Sequence, residues 1–142
     1  MIDQITVFLE NEKGRLNALC RTLADAGVDM SALTIADTTD YGVVRIICNE
    51  PARALEVLEA ADFRAVITKV SAIEVPNVPG GLAKLLDTLE SLNLNIEYGY
   101  CFSVGGEKAV DVLKIRGTEK ADEAAHVLEA AGFRLLSLED LA

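Results

Sequence analysis

The chain has 142 residues, of which 51% are hydrophobic, so it is long enough for one ordinary domain or two very small ones with a real core. Its formal net charge of −10, with no basic patch visible in the sequence, argues against general binding to nucleic acid or membrane surfaces. No segment approaches the roughly 20 consecutive apolar residues that span a bilayer, and the N-terminus lacks a secretory signal pattern, so we expect a cytoplasmic protein.

The first half of the chain predicts a strand, a helix, two strands, a second helix and a final strand. Strands are indicated by alternating apolar residues and helices by apolar residues at the helical period. Asp40 and Gly42 supply turn chemistry for a hairpin at TTDYG between the two middle strands. In chain order the segments are QITVFLE, the helix carrying Leu16, Leu19, Cys20 and Leu23, DMSALTIAD, GVVRIICN, the helix opened by Pro51, and FRAVITKV.

The second half repeats this pattern. Residues 11–30 align without gaps on residues 77–96, and VLEAADFR at 57–64 differs from VLEAAGFR at 127–134 at one position. The chain is therefore a tandem duplication. The corresponding segments are VSAIEVP, the helix carrying Leu82, Leu85, Leu86 and Leu89, NIEYGYCFSV, a GG turn, AVDVLKIRG, a helix at 119–131, and FRLLSLE.

Each half thus has the order βαββαβ, which predicts an α+β fold with two ferredoxin-like units, each an antiparallel sheet with helices on one face. The predicted domains are residues 1–69 and 70–142. Because about 70 residues form only a small core, we expect the units to pack on each other or on a second chain.

The turn between the first strand and first helix of each half is the strongest candidate for a binding site. A helix start offers unpaired amides and the positive end of the helix dipole, which suit a carboxylate or other small anion. Gly14, Gly80 and Gly81 allow the backbone to approach a ligand closely, and Asn11 or Asn77 offers donors and acceptors. The same residue types are also found in ordinary tight turns, so the composition alone leaves both interpretations open.

The motif N-x-P-G-x-L, at Asn77, Pro79, Gly80 and Leu82, resembles the ACT domain, and NEKGRL at 11–16 is similar to a degenerate second copy. The resemblance covers nearly the whole chain. It implies a non-catalytic protein that binds free amino acids at interfaces between paired domains and transmits occupancy to enzymes or transcription regulators. The implied ligand-binding residues are Asn11, Lys13, Gly14, Arg15, Leu16, Met30, Ser31, Asn77, Val78, Pro79, Gly80, Gly81, Leu82 and Ile96, with Glu97 as a further neighbour.

The first copy departs from the motif, because Lys13 replaces the proline and Arg15 adds a charge beside the turn. These cations either strengthen capture of a carboxylate or are solvated surface charges. The resemblance implies no metal or cofactor. It implies a small-molecule amino acid ligand and an enzyme as a further partner, while apolar sheet surfaces and exposed strand edges favour a homodimer. The alternative is an interaction module that pairs with a metabolic enzyme and has lost its ligand.

Other functions are less well supported by the residues. Tyr98, Tyr100 and Phe102 share one strand face, as in RNA-binding sheets, but the acidic balance favours domain or subunit packing there. His126 is the only histidine, which disfavours a conventional catalytic relay. Acylphosphatases share the topology, but their loop pattern is not reproduced at Asn11 and Arg15. The three cysteines lie apart in apolar segments, so we expect buried thiols.

Overall fold

The computed structural model describes residues 1–37, 40–103 and 105–141. The elements follow in this order: β1 (Ile2–Glu10), α1 (Arg15–Asp25), β2 (Met30–Asp37), β3 (Tyr41–Cys48), α2 (Pro51–Ala60), β4 (Arg64–Pro76), α3 (Gly81–Leu89), β5 (Ile96–Phe102), β6 (Lys108–Ile115), α4 (Thr118–Ala130), β7 (Arg134–Leu135) and α5 (Leu138–Leu141). Within these residues, no helix has both the length and the apolar composition needed to cross a membrane.

The chain divides into two compact units. The first unit comprises Asp3–Thr68 and the C-terminal segment from Leu138, and the second comprises Met1–Ile2 and Lys69–Ser137. The strand order is β2-β3-β1-β4 in the first unit and β5-β6-β4-β7 in the second. The β1–β3, β2–β3, β4–β6, β4–β7 and β5–β6 pairs are antiparallel.

Each unit buries the apolar face of its two helices against its sheet. In the first unit, Leu19 and Leu23 of α1 and Leu58 of α2 pack with the alternating residues Val7 and Leu9 of β1. The second unit has a matching core, formed by Ile73, Val75, Leu85, Leu89, Leu113, Ile115, Ala121, Ala124 and Leu128. The predicted α+β fold with two βαββαβ units is therefore confirmed.

Strand β4 joins the two repeats. The sequence predicts FRAVITKV and VSAIEVP as separate strands, but Arg64–Pro76 is one strand of 13 residues. The repeat boundary proposed between residues 69 and 70 falls inside it. Of the predicted hairpin turn TTDYG, Thr38 and Thr39 lie outside the described residues, as does Val104 at the end of the predicted strand NIEYGYCFSV.

The C-terminal segment differs from its prediction. FRLLSLE was expected to form a strand, but β7 contains only Arg134 and Leu135, and α5 begins at Leu138. The Leu136 amide still donates to the Ala72 carbonyl at 2.8 Å. The chain then turns into a helix whose Leu141 carbonyl accepts a hydrogen bond from the Ser31 hydroxyl at 2.9 Å. This partner is distant in sequence, which is why the local pattern did not predict it.

The cysteines lie in three different environments. Cys48 is buried, Cys20 is half-buried and Cys101 is exposed, so the expectation of buried thiols is wrong for Cys101. Burial raises the pKa of the Cys48 thiol. Cys101 lies on β5, which is at one end of the strand order in its unit and pairs with β6, and the side chains alternate along β5 between half-buried and exposed.

Candidate ligand-binding site

In the first unit, the strand-to-helix turn leads directly into α1. Gly14 is the N-cap residue, with φ of 90°, a left-handed conformation that favours glycine. The Asn11 amide donates to the Asp40 carbonyl at 3.3 Å, and the Arg15 amide donates to the Glu12 carbonyl at 3.3 Å. Asn11, Lys13, Gly14 and Leu16 are exposed. The turn therefore presents its backbone to solvent.

Arg15 already has partners within the first unit. Its Nε lies 2.9 Å from Oε2 of Glu10, and its guanidinium carbon lies 4.6 Å from the centroid of the Phe63 ring. The pKa of Glu10 is lowered by a hydrogen bond from its own backbone and by the hydrogen bond from Arg15. Arg15 is thus paired with Glu10 and stacked on the Phe63 ring, whereas Lys13 is exposed.

In the second unit, two adjacent glycines precede and begin α3. Gly80 is the N-cap, with φ of 88° and open space where a Cβ would stand. Gly81 is buried, and a Cβ there would collide with the carbonyl oxygen of Pro76. The side-chain amide of Asn77 donates to the Gly106 carbonyl at 3.1 Å and contacts the Ser103 hydroxyl at 3.4 Å. Asn77 therefore ties this turn to the β5–β6 connection, while Val78 and Pro79 are exposed.

The start of α3 leaves backbone amides available. The Gly81 amide donates to Val78 at 3.1 Å and the Lys84 amide to Gly80 at 2.9 Å, but no described backbone carbonyl accepts from Leu82 or Ala83. Neither α1 nor α3 has an acidic residue in its first turn or a side-chain cap among the described residues. Such a helix start offers unpaired amides and the positive end of the helix dipole, which favour an anion.

The predicted strand residues lie in mixed surroundings. Met30 packs against the core of the first unit, and Ser31 is engaged by α5. Ile96 packs partly against the core of the second unit. Glu97 is exposed and forms an ion pair with Arg116 at 2.8 Å, and the hydrogen bond from Arg116 lowers the pKa of Glu97.

A groove of about 420 Å³ lies between α3 and β5 within the second unit. We call it the α3–β5 groove, and it is lined by Leu82, Leu86, Ile96, Gly99, Tyr100, Cys101, Asp111 and Leu113. The structure thus brings two predicted site residues, Leu82 and Ile96, together around one groove. Sequence reasoning missed Asp111, although its position in the otherwise apolar run AVDVL was a usable signal.

A second cavity, of about 370 Å³, lies in the first unit. It is lined by Phe8, Leu9, Glu10, Tyr41 and Arg64. Glu10 connects this cavity to the first turn through its ion pair with Arg15. None of the residues predicted for ligand binding lines it.

Comparisons with known proteins agree with this architecture. The model of the ACT domain pair family matches residues 1–139. The solved structure of protein BT0572 from Bacteroides thetaiotaomicron is 36% identical, with a TM-score of 0.91, and the match covers 99% of this chain and 94% of that chain. No curated protein matches the chain.

Two further similar structures are regulatory subunits of aspartate kinase. The subunit from Thermus thermophilus, in its ligand-free form, is 20% identical with a TM-score of 0.67, and the match covers 92% of each chain. The subunit from Thermus flavus is 20% identical with a TM-score of 0.64, and the match covers 91% of each chain. At this identity, both structures show a shared fold.

Proposed function

The chain belongs to the ACT domain pair family, and from this premise we propose that it is a non-catalytic regulatory protein that binds a free amino acid at its strand-to-helix turns. The observation that carries the proposal is the start of α3. There, a left-handed Gly80 precedes a helix whose Leu82 and Ala83 amides have no described backbone acceptor. The carboxylate of an amino acid supplies the missing acceptor.

The proposed roles follow from the position of each residue. The amides that begin α3, including that of Leu82, bind the carboxylate. Gly80 and Gly81 give the ligand close access to the backbone, and Asn77 fixes the turn. In the first unit, Gly14 and Leu16 take the corresponding roles, and Lys13 is the exposed cation near the turn. We propose that Met30 and Ser31, or Ile96 and Glu97, complete a pocket when they face such a turn.

Regulation requires that the ligand bind two states of the protein with different affinity. A ligand shared between two paired domains stabilises the arrangement in which both contribute contacts. We propose that this chain pairs with a second copy and acts on an enzyme, since two structures of similar fold are regulatory subunits of aspartate kinase.

The alternative function is a ligand-free interaction module. The first turn favours it, because Lys13 replaces the proline of the motif and Arg15 is already paired with Glu10. In that case a partner protein would be captured equally well with and without amino acids. An amino acid that changes the amount of captured partner would contradict this alternative.

A thermal-shift screen against each proteinogenic amino acid tests the proposal first. Ligand at 100 times its dissociation constant should add about 2.7 kcal/mol to the free energy of unfolding. We expect a raised melting temperature for one amino acid or a few related ones. No shift with any of them would contradict the proposed function.

The Gly80→Val variant tests the location of the site. A β-branched residue at φ of 88° strains the turn and blocks approach to the amides of α3, so we expect at least a tenfold loss of affinity. Gly117→Val is a control for strain at a helix N-cap with positive φ, because Gly117 is the N-cap of α4, has φ of 87° and also has open space around its Cβ position. Both variants should lose stability, but only Gly80→Val should lose affinity. Equal affinities in calorimetric titration would exclude the turn as the site.

A further inference from the structure

Asp111 is an acidic side chain in an unfavourable position for a charge. It is 4% exposed, and its Oδ2 is buried without a hydrogen-bond partner in the described part of the chain. Burial raises the pKa of this carboxyl, because the charged form loses water and gains no partner. Of the described residues that line the α3–β5 groove, Asp111 is the only one with a charge.

The first repeat shows what this position would hold in an ordinary core. Val7 pairs with Val44 in the first unit, and the corresponding Ile73 pairs with Asp111 in the second. Val44 is fully buried in the first core. The duplicated framework therefore accommodates an apolar residue here, and the fold itself does not require a carboxylate.

Two positions on the neighbouring strand also differ between the repeats, and at both of them the second unit has the smaller side chain. In the first unit, Leu33 pairs with Ile46, and the corresponding Gly99 of the second unit pairs with Leu113. Likewise, Ile35 pairs with Val44, and the corresponding Cys101 pairs with Asp111. The second unit thus has smaller residues at both places. All three differing residues of the second unit, Gly99, Cys101 and Asp111, line the same groove.

Gly99 also prevents the groove from being filled. A Cβ at this position would lie 2.8 Å from Cδ2 of Leu113 and 3.0 Å from the carbonyl oxygen of Val112. A larger residue at this position would have to displace the end of the Leu113 side chain and press on the Val112 carbonyl, so glycine fits the groove floor best. The exposed side chains of Leu82 and Leu86 form an apolar wall opposite, at 44% and 37% exposure.

We propose that the α3–β5 groove binds an apolar primary amine, either free or as the amino group of an apolar amino acid, with its ammonium on Asp111 and its apolar body against Leu82 and Leu86. An ammonium supplies both the missing hydrogen bond and the opposite charge, which makes the contact stronger than one to a neutral donor. An apolar groove of this size with one convergent polar group is typical of small-molecule sites. If the ligand is an amino acid, this inference rests on the proposed function and deepens it, because Leu82 and Ile96 belong both to the groove and to the site proposed at the strand-to-helix turns.

Three probes built on one carbon skeleton test the proposal in calorimetric titrations of the full chain. For leucine, the probes are leucine itself, 3-methylbutylamine, which lacks the carboxylate, and 4-methylpentanoate, which lacks the amine. Phenylalanine, 2-phenylethylamine and 3-phenylpropanoate form a second set. We expect the amine of at least one set to bind, with or without its amino acid, and the acid of that set to bind at least tenfold more weakly.

Matched variants assign the ammonium to Asp111. Asp111→Asn keeps the shape of the side chain, and Asp111→Val installs the residue of the first repeat, so both should fold and bind the amine at least tenfold more weakly. Asp87→Asn is the control for net charge, because Asp87 is exposed on α3 and does not line the groove. Cys101→Ile, which also installs the first-repeat residue, should block the groove.

The exposed Cys101 thiol gives an independent readout in the unmodified protein. Amine binding in the groove should slow alkylation of Cys101 by iodoacetamide, measured by peptide mass spectrometry, while the half-buried Cys20 thiol of the first unit serves as the reference. Unchanged alkylation of Cys101 at saturating amine would overturn the proposal. A second result would also overturn it: the wild type forms a dimer and binds none of the probes, and Cys101→Ile dissociates that dimer. In that case a second copy of the chain would occupy the groove.

The remaining outcomes separate this inference from the proposed function. Binding of the acids but not the amines, or amine binding that Asp111→Asn leaves unchanged, would overturn the groove proposal. An amino acid found in the thermal-shift screen whose binding does not respond to Asp111→Asn would overturn the amino-acid form of the groove proposal, while leaving the function at the turns intact. Binding of amines without binding of any amino acid would support the groove and contradict the proposed function.

Discussion

At the scale of single residues, Asp111 and Val44 occupy corresponding places with opposite effects on stability. Val44 adds buried apolar surface to the first core. Asp111 is almost as buried, but its charged form loses solvation without a compensating hydrogen bond. At the same position of the two repeats, Val44 thus stabilises the first unit and Asp111 destabilises the second.

This difference predicts a specific pH dependence. Because the folded-state pKa of Asp111 lies above its ordinary value of 3.8, the native state retains its proton more strongly than the unfolded state does. The free energy of unfolding therefore falls as pH rises from about 3.8 through the raised folded pKa, and the loss is complete above it. Relative to wild type, Asp111→Val should gain stability over this range, by about 1–3 kcal/mol.

Urea denaturation of both proteins from pH 4 to pH 8 measures this difference. For Glu97 the pH dependence of stability has the opposite sign, because the hydrogen bond from Arg116 lowers the folded-state pKa of Glu97. The stability that Glu97 contributes is present above its unfolded pKa and is lost as pH falls through the folded one. A stability difference between Asp111→Val and wild type that stays constant with pH would contradict the assignment.

At the scale of elements, the start of α3 explains why two glycines stand together. Gly80 is needed for its left-handed conformation, and Gly81 is needed because the helix starts against the carbonyl oxygen of Pro76. The first repeat has only Gly14, followed by Arg15. One glycine therefore serves the turn, and the second serves a contact specific to the second unit.

Alanine substitutions separate these two requirements. Gly80→Ala should lower the free energy of unfolding by about 1–2 kcal/mol, the cost of a left-handed residue with a Cβ. Gly81→Ala should lower it by about 3 kcal/mol, at the upper end of overpacking costs, because a backbone oxygen cannot move aside easily. Gly14→Ala, at φ of 90°, is the reference for the turn alone. The measurement is urea denaturation, and equal losses for Gly81→Ala and Gly14→Ala would contradict the contact.

Most elements could be predicted from the sequence because their signals are local. Alternation in QITVFLE and the glycine before each first helix depend only on neighbouring residues. The end of β7 could not be predicted, because it depends on Ala72 and Ser31, which are distant in sequence. Repeat alignment placed the units correctly as βαββαβ but could not show that two predicted strands form the single strand β4.

The candidate site was only partly predictable for a similar reason. The turns were accessible because glycine, proline and asparagine have local conformational meaning. Asp111 stands out as a charged residue in the apolar run AVDVL, but its surroundings could not be predicted, because β6 has apolar residues on both faces. Val110 and Val112 lie on one face, and Ala109 and Leu113 on the other. Periodicity alone therefore does not say whether Asp111 faces solvent or the core.

At the scale of the whole molecule, the units do not coincide with contiguous stretches of sequence. The segment from Leu138 follows the second repeat in the chain but belongs to the first unit, while Met1 and Ile2 belong to the second. The hydrogen bond from the Ser31 hydroxyl to the Leu141 carbonyl is one contact between the C-terminal segment and the rest of the first unit. The stability of the first unit should therefore depend on the end of the chain.

Truncation after Ser137 tests this dependence. Removing α5 leaves the Ser31 hydroxyl without its acceptor and uncovers part of the first unit. We expect faster amide hydrogen exchange in β2 and little change in β5 and β6. Ser31→Ala removes the hydrogen bond alone and should produce a smaller effect, on the order of 1 kcal/mol. Exchange that accelerates mainly in the second unit would contradict this division of the chain.

Strand β4 also limits how such a protein can evolve. The two repeats meet inside an uninterrupted strand of 13 residues, so a recombination event at their junction would cut through paired backbone. A gene encoding either repeat alone would lack residues that its unit uses, and a one-residue insertion would reverse which side chains face the core downstream. Recombination that separates or multiplies single repeats should therefore cost stability, whereas the two copies can diverge in sequence without breaking this strand.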